Sequence, residues 1–131
     1  MKATEQNKAI VHRFLDELMN KGNEAVIEEL VATDFIDHNP MPGIAPGIEG
    51  VKQTAAIHSA AFPDLVEIAF HDMIAEGDKV VVRWTVTGTH RGEMLGIPPT
   101  GKQVTLTGVD IFRIVDGKLV ELWVNSDQLG G

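Results

Sequence analysis

The hydrophobic pattern changes period once along the chain, from roughly 3.6 residues in the first half to 2 in the second. Ile10, Phe14 and Leu18 form one stripe beside Val11 and Leu15, which predicts a helix from about Thr4, a candidate N-cap, to Asn20, with Gly22 ending it. Asn23 can cap a short second helix carrying Val26, Ile27, Leu30 and Val31. The segment Asp37-His38-Asn39-Pro40-Met41-Pro42-Gly43 reads as a loop, because two prolines and a glycine break any regular element. A third helix begins near Gly47 and ends before Pro63, with Ile48, Val51, Ala55, His58 and Phe62 on its apolar stripe.

From Leu65 onward the signals are strands. Val66, Ile68 and Phe70 alternate with Glu67 and His71, and strict alternation would send His71 and Asp72 to opposite faces. After a turn at Glu76-Gly77-Asp78, Val80, Val82, Trp84 and Val86 alternate with Arg83, Thr85 and Thr87 along a strand ending near His90. A loop from Gly92 to Gly101 leads to a strand from Val104 to Ile114; Asp116-Gly117 is a hairpin signal, and Leu119 to Asn125 returns as the last strand. This order predicts an α+β fold in one domain over residues 1–131, three N-terminal helices packed on one face of a strongly curved antiparallel sheet. Such a sheet leaves a concave interior where a small-molecule site would sit.

Composition narrows the chemistry. A chain of 131 residues, 44% apolar, is long enough to bury a core. Cysteine is absent, which removes disulfides, thiol nucleophiles and thiolate metal sites; tyrosine is absent too, so no phenol can donate to a developing enolate. The net charge of −8, with no basic cluster to offset it, argues against nucleic acid as a partner. No apolar run nears the ~20 residues that span a bilayer, and the N-terminus runs straight into a helical pattern, so no membrane partner is expected and the expected location is cytoplasmic. No His-Glu-x-x-His or paired histidines on one element suggest a metal, and neither a nucleophile elbow nor a phosphate loop is present. The expectation is chemistry without metal or cofactor.

Asp110 is the most informative residue. It interrupts the apolar alternation Val104, Leu106, Gly108, Asp110, Phe112 on the face expected to point inward. A carboxylate among apolar neighbours is costly to ionise, so its pKa should rise, which suits a general base acting on a carbon acid. The structural alternative is an aspartate bonded to a helix end or an arginine. His38 and Asp37 lie where a pocket mouth would be; His38 could shuttle a proton, or the segment could simply make turn hydrogen bonds ahead of Pro40. His58 sits on an apolar helix face, and His90 shares the parity of Trp84 but ends its strand, so either could meet a ligand or serve packing and the adjoining loop. Trp84 is a candidate pocket wall or core residue. Arg83, of opposite parity, is assigned to an ion pair or interface, and His12 to the solvent face of the first helix.

The segments Ala61-Phe62-Pro63-Asp64-Leu65, Thr89-His90-Arg91-Gly92, Gly96-Ile97-Pro98-Pro99-Thr100-Gly101-Lys102, and Phe112-Arg113-Ile114-Val115-Asp116-Gly117-Lys118 followed by Trp123 and Asp127 resemble, in order, the motifs of SnoaL-like polyketide cyclases. The resemblance implies the cystatin-like cone of nuclear transport factor 2 relatives, assembled as homodimers or homotetramers. It implies cofactor-free ring closure by intramolecular aldol condensation, with an aspartate on the last strand as acid/base. Laid on that pattern without gaps, Val124 takes the aspartate's place, Asp110 a histidine's, Gly108 a glutamine's and Asp37 an asparagine's, while Asp127 matches a second aspartate three residues on. Relatives continue past the position of Gly131 into a short helical tail.

These readings define a catalytic set of Asp110, His38 and Asp127, and a substrate-binding set of Asp37, His58, Trp84, His90, Phe112 and Val124. The expected activity is acid/base chemistry of the cyclase, aldol or isomerase type on a small hydrophobic carbonyl compound. The alternatives are a binding protein for a small apolar metabolite in the same pocket, or a cone serving chiefly for dimerisation, with the threonine face (Thr85, Thr87, Thr105, Thr107) as subunit contact.

Overall fold

Alternation in the second half of the chain becomes an open, curved five-stranded sheet. In the computed structural model, which describes residues 2–64, 66–93 and 97–126, helix α1 (Ala3–Leu15) leads into a π-helical turn (Asp16–Asn20), followed by α2 (Ala25–Leu30), strand β1 (Val31–Asp37), α3 (Ile48–Ala61), β2 (Glu67–Glu76), β3 (Lys79–Thr89), β4 (Gln103–Val115) and β5 (Lys118–Ser126). The strand order is β1-β5-β4-β3-β2. The architecture is the expected α+β cone of three helices on a curved sheet.

Three local expectations change. Thr4 does not cap α1: Lys2, in extended backbone, precedes the helix and Thr4 lies inside its first turn. The chain after α2 does not pass directly into a loop. Val31 already has extended backbone, and residues 31–37 form an edge strand that runs parallel to β5, the other three pairings being antiparallel. The residue before α2 is Glu24 rather than the expected Asn23, whose Oδ1 accepts the Ala25 N–H at 3.2 Å from one position further out.

The inward face carries Val80, Val82 and Trp84 of β3, Asp110, Phe112 and Ile114 of β4, and Leu119 of β5, all buried. They close on Val11, Phe14 and Leu15 of α1 and on Val26, Ile27 and Leu30 of α2. Phe14 meets Phe112 edge-on at 6.2 Å between ring centroids. Beyond α1, the Asn20 side chain extends the sheet's own bonding: its Oδ1 accepts the Ile68 N–H at 2.7 Å.

Curvature has identifiable sources. The ladders shift register between Val31 and Ile36, between Phe70 and Asp72, and between Arg113 and Ile114. Each irregularity adds local twist and bends its strand. The β4–β5 turn uses Asp116 and Gly117, both at positive φ (51° and 77°), the backbone that a two-residue hairpin requires. Among the described residues no helix is long and apolar enough to cross a membrane.

Candidate functional site

Asp110 lies where the alternation placed it, in mid-β4 between Val82 of β3 and Val124 of β5, facing the helices and 7% exposed. Its Oδ1 is buried without a hydrogen-bond partner among the described residues. Burial pushes the carboxyl up to about 6; the nearby Trp84 indole draws it back in part, and the Asp37 charge adds to the rise. The structural alternative, an aspartate held by a helix end or an arginine, is not what surrounds this side chain.

Trp84 is the diagonal neighbour of Asp110 across the β3–β4 ladder, because its direct partner is Gly108. The indole lies over that glycine: a Cβ on Gly108 would stand 2.5 Å from Cζ2 and 2.8 Å from Cη2 of the ring. Trp84 Nε1 is buried and, like Asp110 Oδ1, has no hydrogen-bond partner among the described residues. Trp84 Nε1 and Asp110 Oδ1 are thus buried near one another on the inward face, close enough for the indole to lower the carboxyl's pKa, yet with no well-formed hydrogen bond to either atom among the described residues. An uncompensated buried polar group costs on the order of 1–3 kcal/mol.

Among the described residues the third buried atom without a partner is His90 Nε2. The His90 ring is buried at the end of β3, with Nδ1 3.3 Å from Thr100 Oγ1 and its centroid 5.9 Å from that of Phe62. Its backbone ties the following loop shut: His90 N–H donates to Lys102 O at 2.9 Å, and Gly101 N–H donates to His90 O at 2.8 Å. Thus His90 binds Thr100, Gly101 and Lys102 with its backbone and one ring nitrogen, while the other nitrogen has no partner among the described residues. On α3, His58 is half-buried, and burial holds its pKa below the ordinary imidazole value.

Asp37 closes β1 opposite Leu122 and is half-buried; its Oδ1 also accepts the Asn39 N–H at 2.9 Å, the turn chemistry expected ahead of Pro40. Asn39 in turn accepts the Val124 N–H through Oδ1 at 2.8 Å, fixing the loop against β5. A cleft of about 400 Å³ lies there, lined by Asn39, Pro40, Met41, Pro42, Val124, Asn125 and Ser126. Val124 is therefore at once a wall of this cleft and the cross-strand partner of Asp110. Phe112, assigned to ligand binding from its parity, is 1% exposed and belongs to the core against Phe14.

His38 does not join Asp110. It stacks on Trp123, with centroids 4.5 Å apart and ring planes 5° apart, and its Nε2 is 2.8 Å from Glu121 Oε2. Trp123 pairs with Ile111 and alternates with Val124, so this cluster occupies the outward face and the sheet lies between His38 and Asp110. The reason is parity: β1 runs on to Asp37, which faces inward, and the next residue is turned outward. Asp127 lies outside the described residues. His71 and Asp72 do not alternate either. The bulge after Phe70 sets both beside outward-facing partners, His71 2.7 Å from Thr85 and Asp72 2.6 Å from Arg83, so Arg83 makes the expected ion pair.

Sequence reasoning missed the part played by Gly108. The available signal was a glycine in mid-strand, which marks a close approach by another group.

The family model of SnoaL-like polyketide cyclases matches residues 9–131. Nogalonic acid methyl ester cyclase of Streptomyces nogalater is 26% identical over 101 residues, 76% of this chain and 75% of that protein. A structure assigned as a SnoaL-like polyketide cyclase from Jannaschia sp. CCS1 superposes with a TM-score of 0.85 at 30% identity, covering 99% of this chain and 92% of the other. Wild-type IdmH from Streptomyces antibioticus, assigned as a polyketide cyclase, gives a TM-score of 0.78 at 33% identity over 95% of this chain and 94% of its own.

Proposed function

Because the chain belongs to the SnoaL-like polyketide cyclase family, we propose that it carries out cofactor-free acid/base chemistry on a small apolar carbonyl compound, with Asp110 as the base. One observation carries this reading: the inward face holds a buried carboxylate of raised pKa beside a buried N–H, and neither Asp110 Oδ1 nor Trp84 Nε1 has a hydrogen-bond partner among the described residues. A carboxylate that ionises near neutrality can take a proton from a carbon next to a carbonyl group. The electron pair released then becomes the nucleophile that an aldol ring closure needs, and the proton held on Asp110 returns to the alkoxide formed. His58, His90, Trp84 and Val124 are proposed to surround the substrate, and the cleft beside Val124 to lead to it.

The family implies assembly as well, and we take the partner to be a second copy of this chain. The outward face supports that choice. Ile74, Val81, Ile111 and Trp123 fall in one row across four strands, and Ile74 is 63% exposed.

The second reading, a binding protein with no turnover, is favoured by Val124 standing where family cyclases carry their aspartate. Deuteration of 2-tetralone at C1 in D2O, followed by proton NMR, separates the two. The catalytic reading expects exchange above the buffer rate, abolished by Asp110→Asn with the fold retained by circular dichroism. Binding of the ketone without any accelerated exchange would favour the second reading. Equal exchange in Asp110→Asn and wild type would remove Asp110 from its role.

A further inference from the structure

Any carbon acid that gives its proton to Asp110 leaves an electron pair that must settle on the adjacent carbonyl oxygen. That oxygen needs a hydrogen-bond donor, which related chemistry can find in a phenol, and this sequence contains no tyrosine. We infer that the indole N–H of Trp84 supplies it, seated for the purpose by Gly108. The inference rests on the carbonyl-compound reading above and adds a second catalytic residue to it.

The geometry is specific. Trp84 is 8% exposed, so its ring is fixed by packing. Its direct cross-strand partner is Gly108, and the ring occupies the space a side chain there would take. The ring atoms nearest to that missing Cβ are Cζ2 and Cη2 of the six-membered ring, so the indole lies over β4 at Gly108, two residues along from Asp110. Any larger residue at 108 would force this ring away. Thus the glycine in mid-strand, which costs strand stability, gains a reason.

The chemistry is equally restrictive. An indole nitrogen is a donor only, and an ionised carboxylate an acceptor only. The pair therefore selects a molecule that presents an acceptor to Trp84 and an acidic hydrogen to Asp110 a few bonds away. A carbonyl compound with an α-hydrogen meets this description, and so does its enol. In the step itself the α C–H bond breaks and its proton forms an O–H bond on Asp110. The C–H pair becomes the new C=C bond, and the carbonyl π pair moves to oxygen, where the Trp84 N–H receives the growing charge. No oxidant, reductant or transfer of the indole proton is involved. A donor already in place when charge develops is the general device by which such sites stabilise enolates.

The test uses the whole protein and 2-naphthol, the aromatic counterpart of the 2-tetralone enol, with naphthalene as the control lacking oxygen. The chain has two tryptophans, hence two indole N–H resonances in a 15N–1H spectrum, and Trp123→Phe assigns them. The expected result is a downfield shift of the Trp84 resonance on adding 2-naphthol, none with naphthalene, and about tenfold tighter binding of the naphthol. Trp84→Phe should lose most of the naphthol's advantage, keeping only what its O–H gains at Asp110, and lose at least tenfold in 2-tetralone exchange. An indole resonance that follows the ionisation of Asp110 but ignores 2-naphthol would mean that the two side chains serve each other, which overturns the inference and leaves the base intact. Retention of the full naphthol preference in Trp84→Phe would overturn it equally. If neither aromatic binds the wild type, the small-molecule reading fails and takes the inference with it.

Discussion

Asp110 and Val124 face each other across the β4–β5 ladder, on the same inward side of the sheet. Direct cross-strand partners have Cβ atoms only about 5 Å apart. Family cyclases carry their acid/base at the position of Val124, so the carboxylate of this chain stands one strand over, reaching the same space from the neighbouring backbone. Exchange of the two residues therefore becomes a test of place against identity. Asp110→Val alone should abolish 2-tetralone exchange. Adding Val124→Asp should restore it to within about tenfold to a hundredfold of wild type, because the carboxylate returns to the same face at a slightly different angle. Failure of the double variant, with a native circular dichroism spectrum, would show that the partnership with Trp84 rather than mere presence on that face matters.

The raised pKa of Asp110 makes two linked pH predictions. As a base it must be ionised, so exchange should rise with pH through a midpoint near 6 and then level off. Stability runs the other way. The folded state titrates near 6 and an unfolded aspartate near ~3.9, so between those values the native state holds more protons and loses stability as pH rises. Asp110→Asn carries no such proton. The stability difference between the variant and wild type should widen in the variant's favour by about 2 kcal/mol from pH 4 to pH 8, as read from urea unfolding. A difference that stays constant across this range would mean the carboxylate is not held in an apolar setting.

The inward face was legible because one simple rule governs it. Alternation along β3 and β4 sets Val82, Trp84, Asp110 and Phe112 on one side, and burial follows. Departures arise where the rule does not apply. Strand β1 has only Val31 and Phe35 as buried apolar markers, and it is completed by parallel pairing with β5, some eighty residues away, which no local pattern encodes. Parity at His38 depends on that strand, so the local pattern could not show that the ring lies on the outward face, with the sheet between it and Asp110. The bulge after Phe70 adds one uncounted residue and brings Asp72 to Arg83. Finally, the seat that Gly108 offers Trp84 is a fact of close packing, invisible until the ring direction is known.

Placing His38 on the outward face yields a prediction opposite to the one its sequence context suggested. His38→Ala removes a stacking contact with Trp123 and a hydrogen bond to Glu121, whose pKa is held below the usual range by the His38 and Arg113 side chains. The expected loss is about 1 kcal/mol of stability. Exchange of 2-tetralone should stay within about twofold of wild type, since the sheet separates this ring from Asp110. A hundredfold loss of exchange in a folded His38→Ala protein would reinstate it as a proton carrier.

The outward row of Ile74, Val81, Ile111 and Trp123 has charged rows on both sides: Glu76, Lys79, Arg113 and Glu121 on one, and the Asp72–Arg83 pair on the other. An apolar centre with a polar rim is how subunit interfaces are organised. The symmetric partner for such a patch is a second copy, because opposite charges at its rim can then meet across a twofold axis. Ile111 occupies the middle of the row, and a carboxylate there would be buried against its own image. Ile111→Glu should therefore convert a dimer to a monomer at tens of micromolar protein, seen by sedimentation velocity, while the far-ultraviolet circular dichroism is unchanged. Substitution at exposed Val115, outside this row, should leave the dimer intact. A wild type that sediments as a monomer at the same concentration would show that the row is simply exposed surface and that the site on the other face works in a single chain.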